Sequence, residues 1–291
     1  MTGVTVQQAV SMERYTTLRV GGPADYLAEP ETEAQFCALL QFAKEQGVPV
    51  LVMGNGSNLL VRDGGIRGLM IRLGRGFSTI QPIPGGLYAQ AGALLSTLAR
   101  QAQDLNLTGL EFAQGIPGTV GGGAYMNAGA YGGELGKVIS TVRVWDGQSI
   151  RDVSAEAMDF SYRHSSAMDQ GWIILGAAFR LEAGDPEAIS AAMRDFAARR
   201  KEKQPLEYPS AGSFFKRPAG NFAGALIENA GLKGLTVGGA QVSRKHAGFL
   251  INVGGATARD FLQLMHLSQR VVYEKFQVRL EPEVRIIGSD P

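Results

Sequence analysis

The sequence GIPGTVGGG at residues 115–123 decides how the rest of the chain is interpreted. It lies in a cluster of ten glycines within residues 109–136, in a protein with 39 glycines among 291 residues. Glycine loses more conformational freedom on folding than other residues, so a cluster needs positive φ angles or close approach to the backbone. Ile116, Pro117 and Val120 are unusual in a freely mobile loop. The stretch predicts backbone wrapped around a ligand, with a surface loop as the alternative.

A second loop of small residues, GNGSNLLV at residues 54–61, directly follows an apolar stretch. Leu59 stands where the dinucleotide-binding fingerprint needs its third glycine, and the Gly-Lys-Ser/Thr of a P-loop is missing. What remains is a Gly/Ser/Asn loop whose backbone N–H groups can form an anion-binding nest. A plain turn between two strands is an equal alternative.

The composition excludes several classes of protein. A net charge of +1 argues against a nucleic-acid partner. Cys37 is the one cysteine, which excludes an internal disulfide and suits a reducing cytoplasm. Residues 1–17 lack the basic and apolar regions of a signal peptide, and we find no apolar run of the roughly 18 residues that a membrane span needs. We expect a cytoplasmic protein without a membrane partner, whose oligomeric state the sequence leaves open.

The spacing of apolar residues predicts a mixed α+β fold. Stripes with helical period predict helices at 31–46, around 94–105, at 186–203 and around 261–272. Short apolar runs predict strands at 49–54, 69–73, 138–145, 172–181 and around 284–287. The three histidines, His164, His246 and His266, share no ligand spacing, so no metal site is predicted.

Besides the two loops, further motifs occur along the chain: TLRVGGPA (17–24), SYRHS (161–165), QPLEYPSAGSFF (204–215), KHAGF (245–249) and LEPEVR (280–285). In order and spacing, and over nearly the whole chain, these motifs resemble those of the UDP-N-acetylenolpyruvoylglucosamine reductase family. The resemblance implies an α+β protein with a two-part FAD-binding domain of the vanillyl-alcohol-oxidase (PCMH) type. That domain would occupy residues 1–195, split near 62–70, and a smaller α+β substrate-binding domain would occupy 196–291.

The resemblance also implies the activity. Such an enzyme reduces UDP-N-acetylglucosamine enolpyruvate to UDP-N-acetylmuramate in peptidoglycan precursor synthesis, with FAD as cofactor and NADPH as co-substrate. Neither Gly-rich loop contains a histidine that could attach the flavin, so we expect non-covalent FAD. The short stretch after Tyr208 resembles the compact subtype of the family, which lacks a tyrosine lid over the substrate.

Three catalytic residues carry over from the family pattern. Arg163 would bind the substrate carboxylate bidentately as charge grows on it. Ser213 would deliver a proton to the carbon that bears the carboxylate after hydride has reached the neighbouring carbon. Glu283 would stabilise the enolic intermediate, which requires a raised pKa. Taken singly, the three read as a surface arginine, a turn serine and a solvent-facing strand glutamate.

The remaining site residues are predictions for ligand binding. Tyr162, Arg200 and His246 are predicted to contact substrate; the alternatives are a core tyrosine for Tyr162 and a solvated helix end for Arg200. The cofactor-binding residues predicted from the two loops are Gly54, Asn55, Gly56, Ser57, Asn58 and Leu59, together with Gly115, Ile116, Pro117, Gly118, Thr119, Gly121 and Gly122.

Two other functions are compatible with parts of this pattern. An oxidase of the same flavin fold would keep the loops but would not need Ser213 or Glu283. A regulatory module that retains only the fold would bind no flavin or never turn it over.

Overall fold

A computed structural model describes residues 3–291 of the protein. The described part contains α-helices α1 Glu33–Glu45, α2 Leu95–Asp104, α3 Val120–Tyr125, α4 Ser166–Gln170, α5 Pro186–Lys203, α6 Ala223–Asn229 and α7 Ala258–Phe276.

The strands are short, as expected for a mixed fold. They are β1 Val6–Ser11, β2 Pro23–Ala28, β3 Val50–Met53, β4 Leu59–Val61, β5 Ile66–Arg72, β6 Ile80–Ile83, β7 Gly86–Gln90, β8 Leu107–Thr108, β9 Gly129–Ala130, β10 Gly133–Glu134, β11 Ile139–Trp145, β12 Ile150–Ser154, β13 Ile173–Arg180, β14 Glu182–Ala183, β15 Ser210–Ser213, β16 Thr236–Val237, β17 Ala240–Val242, β18 Phe249–Asn252 and β19 Arg285–Ile287.

The chain forms two compact units. The first unit comprises Ala28–Asn55 and Ile71–Arg200, together with residues 3–6, and the second comprises Gln7–Leu27, Gly56–Met70 and Lys201–Pro291. This division follows from contacts between residues and does not show which unit binds the cofactor and which binds the substrate. The boundary predicted after residue 195 between a cofactor domain and a substrate domain therefore stays a prediction.

An antiparallel sheet is the centre of the first unit. Its strand order is β12-β11-β13-β7-β6, with Val142 of β11 opposite Ala177 of β13. Leu95 and Leu98 of α2 and Val120 of α3 join Val142 in one fully buried apolar cluster. Burial of each such side chain contributes about 1.5–3 kcal/mol. Helix α3, which lies in the glycine cluster of residues 109–136, thus packs against this sheet together with α2.

The second unit has its own sheet and core. Strands β15-β18-β17-β16 pair antiparallel, while β19 pairs parallel with β4. Phe214 stacks on Phe261 of α7 with ring centroids 6.2 Å apart, and both are fully buried. Asp63 fixes the start of α7, because its carboxylate accepts from the backbone N–H groups of Ala258 at 2.8 Å and Arg259 at 2.9 Å.

Most predicted elements are present within a few residues. The stripe at 31–46 is α1, the helix at 186–203 is α5, and the strands at 138–145 and 172–181 are β11 and β13. The run at residues 115–123 was expected to be a loop around a ligand, but from Val120 onwards it is α3. In the described part of the chain we find no helix long and apolar enough to cross a membrane.

Candidate active site

The two predicted cofactor loops touch within the first unit. The side-chain amide of Asn55 donates to the carbonyl of Pro117, with Nδ2 and O 2.7 Å apart. A Cβ atom at Gly54 would lie 3.2 Å from Cβ of Thr119 and closer still to its hydroxyl. Only glycine fits there. The ends of the two loops are therefore held side by side.

The Gly-rich run changes from loop to helix at Thr119. The Thr119 hydroxyl accepts from the backbone N–H of Gly122 at 3.5 Å and begins α3. Gly121 is buried against Ala91, where a Cβ would come within 2.7 Å of the Ala91 Cβ. Gly121 is therefore explained by packing of α3 against Ala91, the residue that follows β7, without a ligand. Gly122 is exposed and stays a candidate for contact.

Two observations fit these loops to FAD. Among the described residues, none accepts a hydrogen bond from the backbone N–H groups of Asn55, Gly56 or Ser57, and Gly56 has a φ of +62°. Consecutive N–H groups of this kind suit a pyrophosphate. Oε1 of Gln114, directly before Gly115, is buried without a hydrogen-bond partner in the described structure. A buried acceptor of this kind suits a ligand that offers an N–H donor.

Arg163 lies at the tip of a two-residue turn. Ser161 and His164 exchange backbone hydrogen bonds of 3.2 Å across it, and Arg163 itself has a φ of +57°. Positive φ is uncommon for residues other than glycine, and such strained positions concentrate at functional sites. The guanidinium lies 4.9 Å from the ring of Tyr162. Tyr162 is 51% exposed, which excludes the core position considered for it.

The guanidinium of Arg163 is held by the end of the Gly-rich segment. It donates to the backbone carbonyls of Asn127 at 3.4 Å and Gly129 at 3.2 Å. Asn127 is fully buried. In the sequence, Asn127 is marked only by its place within the glycine cluster of residues 109–136.

Arg200 is half-buried and does not end its helix in solvent. Its guanidinium donates to the carbonyl of Gly115 and lies 5.9 Å from the ring of Tyr131. Tyr131 in turn stacks on Phe196 at 4.8 Å. Burial lowers the pKa of Arg200, and Tyr131 opposes this shift. The alternative considered for Arg200, a solvated residue at the helix end, describes its neighbour Arg199 instead, which is exposed and pairs with Asp195 at 2.8 Å.

Ser213 is exposed at the end of β15, where the strand contains a bulge. Ser210 pairs with Ile251 and Ser213 with Phe249, so the strand carries one extra residue between the two pairs. Gly212, with a φ of +76°, absorbs the irregularity. The next residue, Phe214, is fully buried. The bulge and this anchor together fix the direction of the serine.

Glu283 is half-buried and lies two residues before β19, outside that strand. Its N–H donates to the carbonyl of Phe214 at 2.9 Å, and its own carbonyl accepts from the side chain of Asn58 at 3.1 Å. Ser213 and Glu283 therefore lie on adjacent paired segments of the second unit, with Asn58 of the first loop beside them.

His246 is half-buried in the second unit. Its Nδ1 accepts from the N–H of Gly248 at 3.1 Å, and its ring packs edge-on against Phe249 at 5.0 Å. Burial lowers the pKa of His246, and the nearby charge of Lys233 adds to this effect. The lowered pKa favours the neutral form of the imidazole. Phe249 pairs with Ser213, so His246 lies one strand from the predicted proton donor.

Among residues 3–291 there is no cluster of His, Cys, Asp and Glu side chains suited to a metal ion. His164 pairs with Asp169 at 3.0 Å, and His266 lies 3.2 Å from Gln269.

Comparison with known proteins places this geometry in a class. Residues 24–150 match a family described as FAD binding domain, and residues 204–287 match the UDP-N-acetylenolpyruvoylglucosamine reductase C-terminal domain. The fold and site thus define a flavoprotein of two recognisable parts. The solved structure of Physcomitrella patens BBE-like 1 shares the fold of this chain, at 18% identity and a TM-score of 0.50, over 62% of this chain and 42% of that one. The predicted fold class is confirmed.

Relatives of full length narrow the class to one family. The UDP-N-acetylenolpyruvoylglucosamine reductase of Clostridioides difficile is 49% identical over 96% of this chain and 92% of its own. That of Levilactobacillus brevis is 52% identical over the same shares. The crystal structure of the Thermus caldophilus enzyme matches with a TM-score of 0.85 at 38% identity, over 98% of this chain and 100% of that one. The chain belongs to the UDP-N-acetylenolpyruvoylglucosamine reductase family.

Proposed function

We infer that this protein is an FAD-dependent oxidoreductase that reduces UDP-N-acetylglucosamine enolpyruvate to UDP-N-acetylmuramate with NADPH, in peptidoglycan precursor synthesis. The observation that carries this conclusion is the match to reductases of the same name over nearly the full length of both chains. Both the FAD-binding part and the family's C-terminal part take part in the match.

The two loops are the proposed FAD site. The chemistry that FAD supplies when bound is the transfer of two electrons and a proton from NADPH to the carbon–carbon double bond. The N–H groups of Asn55, Gly56 and Ser57 would hold the pyrophosphate, and the exposed backbone at Gly115 and Gly122 would contact the cofactor. We propose that binding is non-covalent, since neither loop contains histidine.

Arg163 is proposed to bind the carboxylate of the substrate. Its guanidinium is already oriented by the carbonyls of Asn127 and Gly129, so little side-chain freedom remains to be lost. A preorientated fork that grips a carboxylate more strongly as charge develops stabilises the transition state.

Ser213 and Glu283 are proposed to manage the proton and the enolic intermediate. Once two electrons and a proton have been added to the terminal carbon, negative charge lies on the neighbouring carbon, which needs a second proton that the exposed Ser213 hydroxyl would deliver. Glu283 would stabilise the negative charge on the carboxylate oxygens by sharing a proton with them. The support from the structure is that both residues belong to paired backbone segments joined through Phe214.

Tyr162, Arg200 and His246 are proposed to contact the substrate. The exposed ring of Tyr162 offers stacking, the half-buried cation of Arg200 offers anion binding, and the imidazole of His246 offers hydrogen bonding. A cytoplasmic location, with no nucleic-acid or membrane partner, is likewise a proposal. It is supported by the near-neutral charge and the single cysteine.

The experiment is a visible spectrum of the purified protein followed by anaerobic additions. Yellow protein that bleaches with NADPH and recovers its colour with the enolpyruvyl UDP-sugar supports the function. Heat or acid should release the flavin into solution, and flavin that stays with the precipitate would overturn non-covalent binding. Reduced enzyme that air reoxidises faster than the sugar nucleotide does would indicate the oxidase instead. A protein that takes up no FAD would fit only a regulatory module.

A further inference from the structure

Asn127 is a buried asparagine between the Gly-rich segment and the turn that carries Arg163. We propose that it is a positioning residue that aims Arg163 at its ligand, an inference that rests on the role proposed for Arg163. Asparagine is usually exposed, yet Asn127 has no exposed surface. Its φ is +43°, in the left-handed region. The contacts of the residue explain both its full burial and its positive φ.

The backbone of Asn127 ends α3 in a Schellman motif. The N–H of Asn127 donates to Ala124 at 3.2 Å, and the N–H of Ala128 donates to Gly123 at 2.8 Å. This pair of bonds around a left-handed residue is the defining pattern of the motif, in which glycine is the commonest choice. Glycine would therefore fit the backbone conformation at this position, so the reason for asparagine lies in the contacts of its side chain.

The side chain of Asn127 anchors the base of the Arg163 turn. Its Nδ2 donates to the carbonyl of Ser161 at 2.9 Å, and its Oδ1 accepts from the N–H of Gly136 at 2.8 Å. Ser161 is one of the two residues that close the turn. Both ends of the buried amide are thus paired, and one end fixes where the turn begins.

The backbone carbonyl of Asn127 fixes the other end of Arg163. It accepts from Nη1 at 3.4 Å, beside the bond from Nη2 to Gly129 at 3.2 Å. Because the guanidinium is planar, two acceptors on one side set the direction of its remaining donors. Asn127 therefore holds both the main chain and the charged group of Arg163.

Asn127→Gly is the sharpest variant, because it keeps the left-handed backbone and removes only the amide. Asn127→Asp keeps the acceptor for Gly136 and loses the donor to Ser161. Asn106→Gly is the matched control. Asn106 follows α2 with a φ of +56°, donates its N–H to Gln103 at 2.9 Å, and is exposed.

The expected result is a selective loss. Asn127→Gly should slow reoxidation of the flavin by the enolpyruvyl substrate about 10–100-fold, because small misplacements of a positioned group are costly. Reduction by NADPH should stay within about twofold, and Asn106→Gly should change neither rate. In titrations of the oxidised enzyme, Asn127→Gly should weaken binding of the enolpyruvyl sugar nucleotide. It should leave UDP-N-acetylglucosamine, which lacks the carboxylate, unaffected.

A double-mutant cycle separates positioning from folding. In an Arg163→Ala background, Asn127→Gly should add less than about threefold, since the group through which it acts is gone. Additive losses, equal losses in both half-reactions, or an Asn127→Gly variant like the wild type would each overturn the inference. If Arg163→Ala itself leaves reoxidation intact, the role of Arg163 fails, and the inference fails with it. If Arg163→Ala slows reoxidation and Asn127→Gly does not, the role of Arg163 stands and only the inference about Asn127 fails.

Discussion

The side-chain amide of Asn58 donates to the backbone carbonyl of Glu283 at 3.1 Å, across 225 residues of sequence. The carbonyl of Asn58 in turn accepts from the N–H of Arg285 at 3.0 Å. One residue of the first loop thus holds the segment that carries the predicted catalytic carboxylate.

Replacing Asn58 should therefore loosen the Glu283 segment. Asn58→Asp removes the donor and places a carboxylate against a carbonyl, so we expect the free energy of unfolding to fall by about 1–3 kcal/mol. Urea unfolding measures this. Glu228→Gln is the control, because it breaks an exposed ion pair with Lys233 and should cost less than about 1 kcal/mol. Equal effects of the two substitutions would contradict a tethering role for Asn58.

Arg163→Lys should retain charge but lose the fork that matches a carboxylate. Loss of a contact that tightens in the transition state should slow substrate reduction about 10²–10³-fold, while reduction of the flavin by NADPH changes little. Stopped-flow absorbance follows both half-reactions. Parallel losses in the two would assign Arg163 to folding or to NADPH binding.

Ser213→Ala should leave FAD content and flavin reduction close to those of the wild type while nearly abolishing product formation. Ser213→Cys should retain part of the activity, because a thiol at the same position is a stronger acid than a hydroxyl. Product analysis in deuterated solvent should place deuterium on the carbon that bears the carboxylate. If Ser213→Ala turns over normally, the proton comes from another group, and Glu283 becomes the first candidate.

His246 should make the stability of the protein depend on pH. Its pKa is lowered in the folded state, mainly by burial, so the unfolded chain binds more protons as the pH falls through the ordinary value for histidine. The stabilisation is thus complete well above the unfolded pKa of about 6.5 and is lost progressively as the pH falls from there through the lower folded pKa. His246→Asn preserves an acceptor near Gly248 and should flatten this slope below about pH 6.5. Thermal unfolding at several pH values tests it, and parallel curves for the two proteins would contradict it.

Helices and strands could be predicted from the sequence where the spacing of their own apolar residues is enough to define them. Helix α5 and strand β13 follow from their own apolar spacing. Strand β1 could not be predicted this way, because five of its six residues are exposed and show no alternation. Helix α3 was missed because VGGGAY has low helix propensity, and packing of Gly121 on Ala91 supplies what propensity lacks.

The proposed site residues come from motifs that the sequence shows directly, whereas the contacts that support them do not show in the sequence. Arg163, Ser213 and Glu283 stand inside recognisable neighbours. Asn127, Tyr131 and the tie between Asn58 and Glu283 depend on contacts between segments far apart in sequence. Periodicity carries no information on such pairings, because it describes one element at a time.

The discontinuity of the second unit has a consequence for biosynthesis. Every described residue of the first unit precedes Lys201, whereas the second unit needs Gln7–Leu27 and Gly56–Met70 as well as Lys201–Pro291. Strand β4 is therefore synthesised long before its parallel partner β19. During translation the apolar side chains of Leu18 and Leu60 therefore lack their native cover until the later segment is made, and exposed apolar surface of this kind favours aggregation or binding by chaperones.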